Sequence, residues 1–232
     1  MSISGLSLLK LGDDARVPLE DFSLHGDERA ELRKVYSLVL EQGVSFAIIN
    51  SPEVSPLIPE LKHVSDDWLA HTKNSEKSFS QGSFAPDYVT NFPCAVVRKD
   101  KRIIAFAILW VSANKEELAL DLMRYHREAP EGIMEFMVME LMLGGRTRGY
   151  RWFNLGMAPL ASLERHALAP LWQRVGRMVY RQSEHFRDSD SYRHFAEKLG
   201  PVWRPKYLAS PGGLKTPRIL RDIVSLIARA KA

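Results

Sequence analysis

Residues 120–145, LDLMRYHREAPEGIMEFMVMELMLGG, pass from an apolar stretch into a run whose apolar residues recur at helical spacing. That change of period decides the fold. Ile133, Phe136, Met137, Glu140 and Leu141 fall on adjoining faces of a helix expected over residues 131–144, and Met134, Met137, Met139 and Met142 read as core filler. Upstream, residues 94–98, 102–112 and 117–125 read as strands separated by KDK and ANKE turns, which predicts an antiparallel meander. Downstream, YRWFNL (150–155) reads as the next strand. Strands, then a helix, then a strand imply an α+β or α/β-like domain in which the helix crosses over to a sheet neighbour. Asp121 and Arg124 stand where strand gives way to helix. An acid and a guanidinium there form either a surface ion pair or the edge of an active site. Three residues apart, they point to opposite faces of a regular strand, so they converge only if a bulge intervenes or Arg124 has left the strand.

Before the meander, Leu32, Val35, Tyr36, Val39 and Leu40 predict a helix over residues 28–42, with Asp27 as its cap and Gly43 as its end. VSFAII (44–49) reads as a strand and residues 60–72 as a helix containing Trp68. Residues 51–59 carry three prolines, and residues 71–82 read as a polar loop. At the C-terminus, Thr216 as cap and Pro217 at the first helical position predict a helix over residues 217–230. Its stripe of Leu220, Ile223, Val224 and Ile227 either docks on the protein's own core or lies on anionic lipid.

With 232 residues, 45% apolar and 26% charged, the chain can bury a substantial core. Cys94 is the only cysteine, so no intrachain disulfide can form, and a buried, inert thiol in a reducing compartment is expected. No apolar run approaches the roughly 18 residues of a membrane span, and the first residues lack the pattern of a signal peptide. Charge is uneven: residues 1–120 hold 13 Lys+Arg against 17 Asp+Glu, and residues 121–232 hold 19 against 11. The basic second half suits phosphate-rich partners such as RNA or anionic lipid. His126, His166, His185 and His194 form no metal-ligand pattern, so no metal is expected. Trp152, Trp172 and Trp203 read as core rather than base-stacking platforms.

The order of elements is similar to that of the GNAT acyltransferase fold, a mixed sheet flanked by helices. That fold holds the acetyl-CoA pyrophosphate in a Q/R-x-x-G-x-G/A loop ahead of the helix. Here the junction reads RYHREAPEGIM, with Pro130 and Glu131 where open backbone is needed and Gly132 its single glycine. GGRTRG (144–149) has glycines but follows the helix, where the dipole disfavours phosphate. No CoA and no other cofactor is expected.

YRWFNLGMAPLA (150–161), HALAPLWQRVG (166–176) and YRHFAEKLGPVWRPKYLASPGG (192–213), preceded by KLGDDAR (10–16), resemble the C-terminal catalytic region of the multiple peptide resistance factors, the aminoacyl-phosphatidylglycerol synthases. The resemblance implies transfer of lysine or alanine from aminoacyl-tRNA to a hydroxyl of phosphatidylglycerol. The setting would be cytoplasmic, at the inner face of the bacterial cytoplasmic membrane. It also implies two GNAT-like lobes joined by a linker helix behind a flippase domain. Against that plan, residues 1–50 read as an N-terminal extension with the linker helix and residues 51–232 as the second GNAT-like lobe. A first lobe and the flippase domain would then be partners, beside the tRNA and the anionic membrane surface.

By the same resemblance, Asp121 and Arg124 belong to the reaction centre. Arg124 can clamp a phosphate or stabilise developing negative charge, and Asp121 can bind the α-ammonium of the aminoacyl ester or orient the nucleophile. Lys198 matches a basic position of the family and can contact substrate phosphate or carbonyl, or else is a solvated lysine at a helix end. Lys206 is a further basic candidate that also suits a strand edge as a charge blocking aggregation. Asn154 and Gly156, expected at a strand end, allow close approach of a ligand to the backbone or form a tight turn. With no Ser-His-Asp pattern, direct attack by the lipid hydroxyl is expected over a covalent enzyme intermediate. The competing readings are a non-catalytic tRNA or membrane docking module and a GNAT-type N-acyltransferase.

Overall fold

A computed structural model describes residues 2, 3, 5–72, 83–159, 189–212 and 215–228. Its described residues fall into two compact units, one of residues 17–72 and 83–154, the other of residues 2–16, 155–159, 189–212 and 215–228. HALAPLWQRVG, with His166 and Trp172, and also His185, lie outside the described residues.

The first unit is built on the meander. Helix α1 (Ala30–Leu40) leads into β3 (Val44–Ile49), numbered after β1 (Ser2–Ile3) and β2 (Leu6–Pro18) of the N-terminal segment. Short helix α2 (Ser51–Val54) and a 3-10 turn (Ser55–Leu57) run into α3 (Ile58–Thr72), so the proline-rich stretch forms consecutive helical turns. Pro52 and Pro56 are the second residues of their turns, still within the first turn, where a missing N–H costs no intrahelical bond. Helix α4 (Pro86–Val89) precedes β4 (Cys94–Lys99), β5 (Arg102–Val111) and β6 (Glu117–Tyr125), which pair antiparallel in sequence order after β3. Asp100 and Lys101 turn between β4 and β5 with positive φ. Helix α5 (Ile133–Thr147) then crosses over to β7 (Trp152–Pro159), whose first residues pair parallel with β6. The sheet is therefore mixed, as the strand–helix–strand order predicts.

Alternation divides the side chains between two helical layers. Cys94, Val96, Phe106, Ile108 and Leu122 share a cluster with Leu61 and Val64 of α3 and Val89 of α4. Ala95, Val97, Ala105, Ala107, Leu109 and Leu118 take the opposite face and are buried as well. Helix α5 packs against α1 and the sheet, with Phe136, Met137, Met139, Leu141 and Met142 all inaccessible to solvent. Each such side chain contributes about 1.5–3 kcal/mol of transfer free energy. The Cys94 thiol is buried, and burial pushes its pKa up to about 12, as suits an inert thiol.

Two glycines tie α5 into place. Gly132 precedes the helix at φ 83°, and a Cβ there would lie 2.6 Å from Val35 of α1. A Cβ on Gly145 would meet Leu19 at 3.0 Å and Leu118 at 3.1 Å. Gly144 and Gly145 thus lie inside the helix rather than after it, because close packing on β6 extends the helix to Thr147. The expected cap at Asp27 is also displaced. Gly26 stands ahead of a 3-10 turn at Asp27–Arg29, and α1 follows without a side-chain cap hydrogen bond. Gly43 closes the helix region at φ 73°, as expected.

In the second unit, β2 pairs with β1 and with β8 (Val202–Ser210), both antiparallel. Helix α6 (Ser189–Lys198) packs Ala196 against Ala15, with Leu155 and Trp203 beside them. Helix α7 (Lys215–Ala228) begins one residue before the expected cap: Thr216 is buried, and its hydroxyl shares a 2.9 Å hydrogen bond with Ser210 instead. Leu220 is buried and Leu226 is exposed, so the helix buries only part of its apolar set among the described residues. Among those residues, no helix is long and apolar enough to cross a membrane.

Candidate active site

The register of β5 against β6 answers the geometric question posed by Asp121 and Arg124. Leu109 pairs with Leu120 and Ile108 with Leu122, so Asp121 is the extra residue of a β-bulge. Beyond the bulge, Arg124 stands opposite Phe106 and shares the α3-covered face with Leu122. Asp121 reaches that same side, where its Oδ2 accepts a 2.7 Å hydrogen bond from the hydroxyl of Tyr88 on α4. Tyr88 also packs against the cluster on that face. The bulge therefore turns a spacing of three, which a regular strand would split, into two side chains on one face.

Their surroundings differ. Arg124 is 0% exposed. Its guanidinium carbon lies 5.0 Å from the centre of the Trp68 ring, and Nη1 donates to Ser65 Oγ, both on α3. A surface ion pair, one of the two readings of this motif, is therefore not formed by Arg124, because Trp68 and Ser65 lie one helical turn apart and roof the guanidinium together. Asp121 is half-buried. Beyond Tyr88, the 48% exposed Trp110 donates its indole N–H to the Tyr88 hydroxyl at 3.1 Å. Tyr88 and Trp110, with Asn91, Phe92, Pro93 and Val111, line an open depression. Burial, then the bond to Asp121, raise the Tyr88 pKa to about 12, against an opposing effect of the Trp110 N–H.

Past β6, the Arg127 amide and guanidinium donate to Asp67 of α3 at 2.8 and 2.6 Å. His71 and His126 lie 3.3 and 3.7 Å from the same carboxylate. Burial alone would raise the Asp67 pKa, but Arg127 and His126 outweigh it and hold the carboxyl below its ordinary value. Among the described residues, no group of three or more His, Cys, Asp or Glu side chains could hold a metal ion.

The remaining candidates lie elsewhere. Asn154 pairs with Ala119, two residues before the bulge, and donates to Glu117 Oε1 at 3.1 Å. Strand β7 continues to Pro159, so neither Asn154 nor Gly156 ends it. Gly156 has φ 96° within the strand, and a Cβ there would meet nothing within 4 Å. Lys198 ends α6, partly buried. Lys206 projects from β8 and pairs at 3.2 Å with Asp14, whose side chain is almost wholly buried. Trp203 is partly buried beneath Arg193, whose guanidinium lies 4.6 Å from the ring centre, and Trp152 is also only partly buried. Trp110 and Tyr88 escape sequence reasoning because no spacing links Asp121 to a tyrosine 33 residues away.

The Ile133 amide donates to the Pro130 carbonyl at 3.1 Å, and Val35 occupies the space beside Gly132.

Residues 1–210 match the family model described as phosphatidylglycerol lysyltransferase, C-terminal. A phosphatidylglycerol lysyltransferase of Bacillus subtilis is 35% identical over 207 residues, covering 88% of this chain. The chain spans only 24% of that relative's length. Among solved structures, a C-terminal DUF2156 domain from Agrobacterium fabrum superposes with TM-score 0.83 at 38% identity, and L-PGS from Bacillus licheniformis with 0.81 at 35%. Each comparison covers 97% of this chain and 68% of the other.

Proposed function

The chain belongs to the family of phosphatidylglycerol lysyltransferase C-terminal domains, and from that premise we propose that it serves aminoacyl transfer from aminoacyl-tRNA to phosphatidylglycerol, as the second GNAT-like lobe of the catalytic region. The observation that carries the reading is the bulge that brings Asp121 to the Arg124 face, where its carboxylate bonds to Tyr88 in the lining of an open depression. In this reaction the lipid hydroxyl oxygen attacks the ester carbonyl, the acyl–ribose bond breaks, and the lipid hydroxyl's proton ends on the ribose oxygen. Asp121, half-buried, is the group we assign to the substrate's α-ammonium or to orienting the attacking hydroxyl. Arg124 acts from beneath: it fixes β6 against α3 and places a permanent positive charge behind the site. Lys198, Asn154 and Gly156 are proposed to contact the phosphate-bearing parts of the substrates. Lys206 is assigned the weaker part, because Asp14 already neutralises it. The basic second half supplies the attraction to tRNA and to an anionic lipid surface at the inner face of the membrane.

The test mixes the chain with radiolabelled lysyl-tRNA or alanyl-tRNA and phosphatidylglycerol vesicles and looks for labelled lipid. Wild type is expected to label the lipid in at least one of the two, and Asp121→Asn to lose most of that label. Wild type binding tRNA and vesicles without labelling lipid would support a docking module instead.

A further inference from the structure

Tyr88 belongs neither to the family-like motifs nor to the strands that carry Asp121, yet it forms the centre of a hydrogen-bonded chain. We propose that Tyr88 is a positioning residue for Asp121, with Trp110 fixing the direction of its hydrogen bond, so that the carboxylate is held in one orientation by two side chains that line the open depression. The proposal rests on the reading of Asp121 as the substrate-binding group.

The direction follows from the chemistry of the three groups. An indole N–H can only donate, so the Tyr88 oxygen must accept from Trp110 at 3.1 Å. The hydroxyl has a single proton, and the carboxylate can only accept. That proton therefore lies on the 2.7 Å line to Asp121 Oδ2. Donation into the Tyr88 oxygen polarises its O–H, which strengthens the bond to the carboxylate. The chain also needs the bulge. Without the extra residue the Asp121 side chain would point to the α5 side of the sheet, away from α4. The raised pKa of Tyr88 agrees with a hydroxyl that must keep its proton. Trp110 is held in this network although half exposed, and its ring forms part of the wall of the depression.

Two measurements test the proposal on the whole chain. The first needs no turnover: the indole N–H resonance of Trp110, assigned with Trp110→Phe, is followed at neutral pH. Tyr88→Phe should move it upfield, and Asp121→Asn should move it in the same direction through the intervening hydroxyl. An indole resonance that ignores Asp121→Asn overturns the relay. The second is transfer kinetics with aminoacyl-tRNA and phosphatidylglycerol vesicles. Tyr88→Phe should lower kcat about tenfold with KM for the aminoacyl-tRNA within about twofold, because misorientation rather than binding is affected. Trp110→Phe should lower kcat by a smaller factor. Full kcat in Tyr88→Phe, alongside a crippled Asp121→Asn, overturns positioning and leaves the functional reading intact. Full activity in Asp121→Asn overturns the functional reading of Asp121. No labelled lipid from wild type overturns the transfer reading, and positioning falls with it even where the indole resonance confirms the bond.

Discussion

Asp121 and Arg124 lie within one turn of sequence and on one face of the sheet, yet one belongs to a sealed region and the other to an open one. Around Arg124, α3 closes over the strand with Trp68 and Ser65, and the guanidinium has no exposed surface. Around Asp121, α4 lays Tyr88 across the carboxylate, and beyond it Trp110 stands half exposed at an open depression. The buried cation holds elements together, since removing it exposes dry partners to an unfilled space. The anion is only half-buried and bonds to Tyr88, which lines the open depression.

Substitutions can break or sharpen this contrast. Arg124→Ala should be the most damaging to stability, by about 3–5 kcal/mol, because it removes a large buried side chain from between Trp68 and Ser65 and leaves a cavity. A urea midpoint close to wild type would place Arg124 in the open region instead. Ser65→Ala is a milder probe of the same roof: Ser65 is 1% exposed, and losing its acceptor should cost about 1–3 kcal/mol. Unchanged stability would mean that the guanidinium does not depend on the Ser65 hydroxyl.

Asp67 extends the sealed side and gives it a pH dependence. Its folded pKa lies below the ordinary carboxylate value, so its contribution is present above the unfolded pKa of about 3.9 and is lost as pH falls through the folded value. Denaturation at neutral pH and near pH 3 should show wild type losing more stability than Asp67→Asn, by about 1 kcal/mol. Equal losses would show that the Arg127 bonds do not favour the ionised form. Asp121→Asn should disturb stability least, within about 1 kcal/mol, since the amide keeps an oxygen for Tyr88. Under the proposed function, its expected effect is on transfer. A stability loss comparable to that of Arg124→Ala would erase the distinction between the two regions.

Much of the scaffold is legible from sequence. The three meander strands appear within a residue of their expected bounds, the α5 methionines other than Met134 are almost wholly inaccessible and Met134 is buried at 7%, and Cys94 is an enclosed thiol. These follow from alternation, helical spacing and the apolar character of single residues, all of which are local. The helix starts expected at Asp27 and Thr216 are displaced: a 3-10 turn covers Asp27–Arg29, and the Thr216 hydroxyl bonds to Ser210 instead of capping.

The sequence by itself determined the period of each segment, the order of the elements and the motifs shared with the lysyltransferase family. Only the tertiary structure decided that Asp121 is the bulged residue, because a bulge is a mismatch between two strands and is written in neither alone. It also decided that Arg124 is roofed by a helix 59 residues earlier in the chain and that Asp121 meets a tyrosine 33 residues earlier. Such pairings form when the sheet and the α3 and α4 layer bury their common apolar cluster. The packing of that cluster, rather than any local propensity, then fixes which polar group is sealed and which is left half-buried.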